Sequence, residues 1–219
     1  MLSIKELTDG LNAHCDKIGI DIVGFGDSIH FNKFNKENRP ESYLKNAKSV
    51  IVIGFHLYDL ILDAWSRDEM KKKSYHFADS ILVDQCHQIK SFLAKKGFKS
   101  KIIPYIPGLY LKDAAALAGI GPIGKNNLLI TKTFGSQVRL RALVTVAELA
   151  YGTPIYESEY CKNCNICVDS CPSGALEGGK YHRDLCYNYC QENLIKLSEN
   201  TVIWCNKCIE SCLVGKTSI

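Results

Sequence analysis

The distribution of cysteine is the feature that most constrains what this chain can become. The 219 residues include 11 cysteines, and nine of these lie between Cys161 and Cys212. A disulfide-stabilised secreted domain is usually small and follows a signal peptide, whereas this chain is longer and its N-terminus lacks the apolar stretch of such a peptide. Dense cysteine in a reducing compartment usually binds metal, and we therefore expect a cytoplasmic metalloprotein.

The first cysteine motif is C-x₂-C-x₂-C-x₃-C-P, which runs from Cys161 to Pro172. This spacing is typical of [4Fe–4S] binding, because two-residue gaps let one loop place three thiolates around a cluster. The fourth cysteine of the motif ligates the other cluster of a pair. Zinc sites instead pair two C-x₂-C units across a longer spacer and need only four ligands. The motif therefore predicts iron–sulfur clusters rather than zinc.

The second motif, C-x₂-C-x₃-C from Cys205 to Cys212, lacks the third cysteine of the first motif. Its missing ligand must come from elsewhere, and Cys186 or Cys190 can supply it. Crossing the two motifs gives two complete sets of four. The first set is Cys161, Cys164, Cys167 and Cys212. The second set is Cys171, Cys205 and Cys208 with Cys186 or Cys190. Two [4Fe–4S] clusters of low potential would relay single electrons.

The sequence before the cysteine motifs alternates between helical and extended patterns. Helices are expected at 3–17, over a long stretch after the strand at 49–55 that ends at Gly97 with an interruption near 73–74, and at 109–117. Strands are expected at 20–24, 49–55, 101–103, 127–130 and 137–146. We therefore expect an α+β (α/β-like) domain over residues 1–152 and a cluster domain over 153–219. Cys15 and Cys86 lie on apolar helical stripes and are expected in the core.

Composition limits the classes of partner. Hydrophobic residues make up 46% and charged residues 23% of the chain, as in ordinary soluble proteins. The sequence contains no run of about 18 apolar residues, so it predicts no membrane span. The formal net charge of +4 is spread over short lysine groups, which argues against a nucleic-acid partner.

Residues 119–125 match the G-x-x-x-x-G-K pattern of a phosphate-binding loop. Such a loop follows a strand and continues with Ser or Thr to hold Mg²⁺, whereas here a predicted helix precedes the pattern and Asn126 follows it. We therefore exclude nucleotide hydrolysis. Glycines here would allow the backbone to approach a cofactor or a neighbouring strand closely.

The same segment carries a family resemblance. Ala-Gly-Ile-Gly-Pro-Ile-Gly-Lys-Asn at 118–126, Leu-Leu-Ile at 128–130 and Phe-Gly-Ser at 134–136, ahead of a double-cluster module, resemble epoxyqueuosine reductases and reductive dehalogenases. Ser-Val-Ile-Val at 49–52 and Asp-Leu-Cys-Tyr at 184–187 also resemble segments of that family. By this resemblance, Cys186 rather than Cys190 completes the second ligand set.

The resemblance implies a nitroreductase-like N-terminal domain that binds cobalamin, followed by a bacterial ferredoxin-like double-cluster domain. Electrons would pass from a donor through both clusters to cobalt. The residues that the resemblance places at the cobalamin site are Gly119, Gly121, Gly124, Lys125, Asn126, Gly135 and Ser136. His56 is a further candidate, because it follows a strand end where α/β proteins place ligand contacts.

Two departures from the family affect the predicted reaction. The family's proton-donating Asp has no counterpart in the stretch 105–112, where Tyr105 or Tyr110 could donate instead; the alternative is two packed tyrosines. The sequence also ends shortly after Cys212, before the family's tRNA-binding extension, so we expect a substrate other than tRNA.

The sequence therefore predicts an iron–sulfur oxidoreductase that passes electrons to cobalamin or to a substrate. The expected partners are reduced ferredoxin or flavodoxin as donor and a small molecule or a corrinoid protein as acceptor, with a homodimer left open. The alternative is a non-catalytic ferredoxin-type carrier or reductive activator of a corrinoid protein. A structural cluster protein without turnover is a third hypothesis.

Overall fold

The secondary structure follows the hydrophobic pattern in most segments. The computed structural model describes residues 2–68, 70–71 and 73–215. The helices are α1 (Ile4–Lys17), α2 (Phe77–Lys95), α3 (Leu111–Leu117), α4 (Ile166–Asp169), α5 (Arg183–Glu192) and α6 (Lys207–Glu210). The strands are β1 (Ile22–Asp27), β2 (Ser49–His56), β3 (Trp65–Asp68), β4 (Lys73–His76), β5 (Ser100–Ile102), β6 (Val138–Thr145), β7 (Ile195–Lys196) and β8 (Thr201–Ile203).

Helix α1 begins where the sequence predicts it. The Ser3 side chain accepts a hydrogen bond from the Glu6 backbone, and the Glu6 carboxylate accepts one from the Ser3 backbone, which forms a capping box. Leu7, Leu11 and Cys15 recur at intervals of four residues and are buried on one face. This face joins the hydrophobic core, so that sequence periodicity and packing agree.

Contacts divide the chain into two units, of which the first contains Met1–Phe55, Ile81–Pro122 and Leu140–Tyr156. Its sheet has the strand order β1-β2-β6-β5, with β1 antiparallel to β2 and β5 antiparallel to β6. Apolar residues of α1, α2 and the sheet form one core, in which Cys86 is fully buried as predicted. Cys15 lies in the same core, and burial there raises the pKa of its thiol to about 12.

The second unit contains His56–Ser80, Ile123–Arg139 and Glu157–Ile219. Its sheet has the strand order β4-β3-β8-β7. Two stretches that precede the cysteine motifs in sequence therefore pack with them. The predicted division at 152–153 stays a prediction.

Two sequence predictions of local structure were wrong. Apart from a four-residue 3-10 helix at Leu60–Asp63, the stretch before α2 is not helical and contains the hairpin β3–β4, in which Trp65 pairs with His76. Strand β3 also pairs with β8, a partner more than a hundred residues away that local periodicity cannot reveal. Residues 127–130 do not form a strand, because Asn127 has a positive φ of 58° and only an isolated bridge joins Ile123 to Leu129.

No helix in the described ranges has the length and hydrophobicity that a bilayer crossing requires.

Candidate metal centre

The first predicted ligand set surrounds one cavity in the second unit. Its four cysteines all line a cavity of about 180 Å³: Cys161, Cys164, Cys167 and Cys212. The loop turns tightly, with the Cys164 amide donating to the Cys161 carbonyl oxygen over 3.4 Å, and α4 then carries Cys167. Burial, followed by the proximity of the other three thiols, raises the pKa of Cys167. Four sulfurs separated in sequence by up to 51 residues therefore meet at one place.

The second cavity is larger and also lies within the second unit. In the described chain, five cysteines line its volume of about 380 Å³: Cys171, Cys186, Cys190, Cys205 and Cys208. Burial, and then the neighbouring thiols beginning with Cys205, raise the pKa of Cys208 to about 12. This cavity holds the second predicted set together with Cys190, the cysteine that the pairing had left over.

Cys171 has a hydrogen-bond environment suited to a thiolate. Burial acts to raise its pKa, but the hydroxyl of Ser173 and the backbone of Ser173, Ala175 and Leu176 outweigh burial and lower it. The Cys171 sulfur lies 3.4 Å from the Ser173 hydroxyl oxygen. Hydrogen bonds to a ligand sulfur are a common means of tuning iron–sulfur clusters.

The donor set fits clusters better than single ions. Across the part of the chain that the structure describes, no three His, Cys, Asp or Glu side chains are close enough to hold one metal ion. Each thiolate of a four-iron cluster binds a different iron, so its sulfurs lie further apart than the ligands of one zinc ion. All-thiol donors around two separate cavities are therefore compatible with two clusters.

Lys125 and Asn126 contact the cysteine segment. The Lys125 ammonium donates to the Cys164 carbonyl oxygen over 3.0 Å and to Oδ1 of Asn165 over 2.8 Å. Asn126 is buried, and its Nδ2 donates to the Cys208 carbonyl oxygen over 3.4 Å. Asn126 also lines both cavities. Sequence reasoning had assigned these two side chains to a cobalamin site, and their contacts give them a second role beside the clusters.

The predicted glycines meet neighbouring parts of the chain. Gly119 has a φ of +75°, and an added Cβ would lie 2.9 Å from a backbone oxygen of Thr153. At Gly124 an added Cβ would lie 2.7 Å from the side chain of Ile130, and at Gly135 it would collide with the backbone of Val214. The sequence offered two explanations for these glycines, close approach to a cofactor and close approach to a neighbouring segment. Close approach to other segments of the same chain accounts for all three.

The remaining candidates for a cofactor site fall in both units. Gly121 is buried in the first unit, and Ser136 is buried in the second. The Ser136 hydroxyl has no hydrogen-bond partner among the described residues. The His56 ring stacks on Phe134 at 4.1 Å between ring centroids. An orphaned buried hydroxyl is compatible with a polar ligand group, and these assignments stay predictions.

The two candidate proton donors belong to the first unit. Tyr105 and Tyr110 are 46% and 45% exposed. The Arg141 guanidinium lies 3.8 Å from the Tyr105 ring centroid, and the Tyr110 ring lies 5.3 Å from that of Phe34. Both rings thus have packing partners and an accessible edge, and proton donation stays a prediction.

Sequence reasoning missed the aromatic residues that line the second cavity. Trp204 and Tyr187 line it, and Trp204 stacks on Trp65 at 5.6 Å between ring centroids. An ion pair between Asp63 and Arg139 lines it as well, and burial raises the pKa of Asp63 although Arg139 opposes this. The position of Trp204 directly before a ligand cysteine was an available signal, whereas the ion pair had none.

Comparisons with known proteins agree with this arrangement. Residues 154–177 match the model of the 4Fe-4S binding domain. An epoxyqueuosine reductase of Bacillus anthracis is 25% identical over 262 aligned positions, which cover 98% of this chain and 66% of that protein. The chain thus spans no more than about two thirds of the length of that relative.

Two solved structures share the fold. An epoxyqueuosine reductase crystallised with an epoxyqueuosine-modified tRNA-Tyr stem loop superposes with a TM-score of 0.74 at 22% identity, over 98% of this chain and 66% of that one. A reductive dehalogenase whose structure suggested a mechanism for B12-dependent dehalogenation superposes with a TM-score of 0.71 at 14% identity, over 96% of this chain and 32% of that one. The predicted α+β fold with a ferredoxin-like C-terminal region is thereby confirmed.

Proposed function

We propose that this chain, a member of an epoxyqueuosine reductase/reductive dehalogenase-like family, is an iron–sulfur oxidoreductase. It would relay electrons through two [4Fe–4S] clusters. The observation that carries this proposal is the sorting of nine cysteines into two cavities, four around one and five around the other. Cys161, Cys164, Cys167 and Cys212 would hold one cluster. Cys171, Cys186, Cys205 and Cys208 would hold the second.

Asn126 supports electron passage between the clusters, because it lines both cavities and bonds to the backbone of a proposed ligand. Its buried amide would exclude water from this position. Lys125 holds the first cysteine loop through two hydrogen bonds and places a positive charge beside it. Positive charge near a cluster favours its reduced state.

Cobalamin is the proposed electron acceptor, carried over from the B12-dependent relative. His56 and the unpartnered hydroxyl of Ser136, both in the second unit, would contact it. Tyr105 and Tyr110 stay the candidate proton donors. When bound, cobalamin supplies a cobalt centre that accepts electrons and acts on the substrate. The donor would be reduced ferredoxin or flavodoxin and the substrate a small molecule. The tRNA complex of the relative keeps nucleic acid open as a substrate, contrary to the expectation from charge.

Anaerobic reconstitution with iron and sulfide tests the clusters. We expect about eight irons per chain, as two cubanes require, and signals of two reduced clusters in electron paramagnetic resonance (EPR). Cys167→Ala should reduce the iron content to about four, while Cys15→Ala, which changes a thiol in the hydrophobic core, should leave it unchanged. About four irons in the unsubstituted chain would refute the pairing.

A second candidate function is a carrier or reductive activator of a corrinoid protein. The observation that favours it is the packing of Gly119, Gly124 and Gly135 against the chain itself, which explains these glycines without a cofactor. Cobalamin added to the reconstituted protein, followed by gel filtration, separates the two functions. Retained corrin absorbance supports the enzyme, and its absence supports the carrier.

A further inference from the structure

The second cavity contains one cysteine more than a cluster needs. We propose that Cys186 and Cys190 are interchangeable ligands, so that either sulfur can complete the set formed by Cys171, Cys205 and Cys208. This inference rests on the proposed function. It assigns Cys190 to the metal site, although the family resemblance leaves it out.

Helix geometry places the two sulfurs side by side. Cys186 and Cys190 lie four residues apart on α5, and residues at this spacing share one helix face. Both line the second cavity. Cys190 is the more enclosed of the two, with 7% of its surface exposed, whereas Cys186 is of intermediate exposure. A cluster bound by the other three cysteines would therefore face both thiols.

The surroundings of Cys190 differ from those of a cysteine that only packs. Cys15 is also buried, but its neighbours are apolar residues such as Leu11, as is usual for a structural thiol. Cys190 instead lines the second cavity together with Cys186 and Cys205. Its neighbours are thus other cysteines of the proposed metal site.

Polar neighbours share the cavity with both candidate sulfurs, since Tyr181 and Cys205 line it as well. Ligating groups in metal sites commonly accept hydrogen bonds from such neighbours, which orient them and stabilise their charge. Exchanging one cysteine thiolate for another alters neither the number of sulfur ligands nor their charge, so either choice leaves an equivalent cluster.

Four variants test the inference: Cys186→Ala, Cys190→Ala, the double variant and Cys171→Ala. Each is reconstituted anaerobically with iron and sulfide, and iron, sulfide and EPR spectra are measured. We expect both single variants of α5 to retain about eight irons, whereas the double variant and Cys171→Ala should fall to about four. Alanine favours helix, so circular dichroism should show that α5 is retained in all three of its variants.

The outcomes separate the inference from the proposed function. If Cys186→Ala falls to about four irons while the unsubstituted chain holds about eight, Cys190 is not a ligand and the inference is overturned alone. If Cys190→Ala falls to about four irons, the inference is overturned as well. If the unsubstituted chain never approaches eight irons, the proposed function fails first. About eight irons in both single variants, with the EPR signals of both clusters retained, would support exchange at the second cavity.

Discussion

Asn126 offers the sharpest test of how the two cavities depend on each other. It is 4% exposed, its Nδ2 donates to the Cys208 carbonyl oxygen over 3.4 Å, and its Oδ1 accepts from the Leu128 amide over 3.2 Å. Asn126→Ala would leave both backbone groups without this partner. A buried polar group left unsatisfied costs about 1–3 kcal/mol.

Both bonds are long, so the lower end of that range applies to each, and we expect a total loss of about 2 kcal/mol. That loss corresponds to about a thirtyfold weaker retention of iron. The assay is release of iron from the reconstituted protein to a chelator of graded concentration. Because Asn126 lines both cavities, both EPR signals should decline, and the second should decline more since Cys208 belongs to its ligand set.

Asn38→Ala is the matched control. It removes another buried amide, whose Nδ2 donates to the Gly108 carbonyl oxygen over 2.8 Å, and Asn38 lines neither cavity. This variant should retain iron as the unsubstituted chain does. Equal retention in Asn126→Ala, or a loss confined to one cluster, would refute the argument that this side chain supports both sites.

Three further predictions concern other parts of the chain. Lys125→Ala should weaken iron retention at the first cluster alone by about 1 kcal/mol, roughly fivefold, because two hydrogen bonds to an exposed loop are lost. Lys125→Arg should restore most of the lost iron retention. Unchanged release of iron to a chelator in Lys125→Ala would contradict this prediction. Hydrogen bonds from Ser3 lower the pKa of Glu6, with the backbone bond contributing more than the side-chain bond. The stabilisation of α1 by Glu6 is therefore present above the pKa that Glu6 has in the unfolded chain. It is lost as pH falls through the pKa of Glu6 in the folded chain. Denaturation at graded acidic pH should show this loss, and Glu6→Gln should not. Gly119→Ala should destabilise more than Gly178→Ala in urea unfolding, because both have a positive φ but only the first meets backbone within 2.9 Å. Equal losses would mean that only φ matters.

Much of the local structure could be predicted from the sequence. The capping box at Ser3 and the apolar spacing of Leu7, Leu11 and Cys15 define α1 without reference to any distant residue. The continuous apolar run of β2 similarly predicts a strand buried on both faces. The first cysteine motif belongs to the same class, because a loop of two-residue gaps orders its own thiols.

Only the tertiary structure decided which distant residues meet. Strand β3 pairs with β8, which lies more than a hundred residues further along the chain, and Lys125 is tied to a loop 39 residues further along. Motif spacing likewise left open whether Cys186 or Cys190 belongs to the second site, and the structure places both in the second cavity. The physical reason is that periodicity records how a segment presents its own side chains. Hydrogen bonds and cavities between distant segments form only when the whole unit packs, and they leave no regular trace along the sequence.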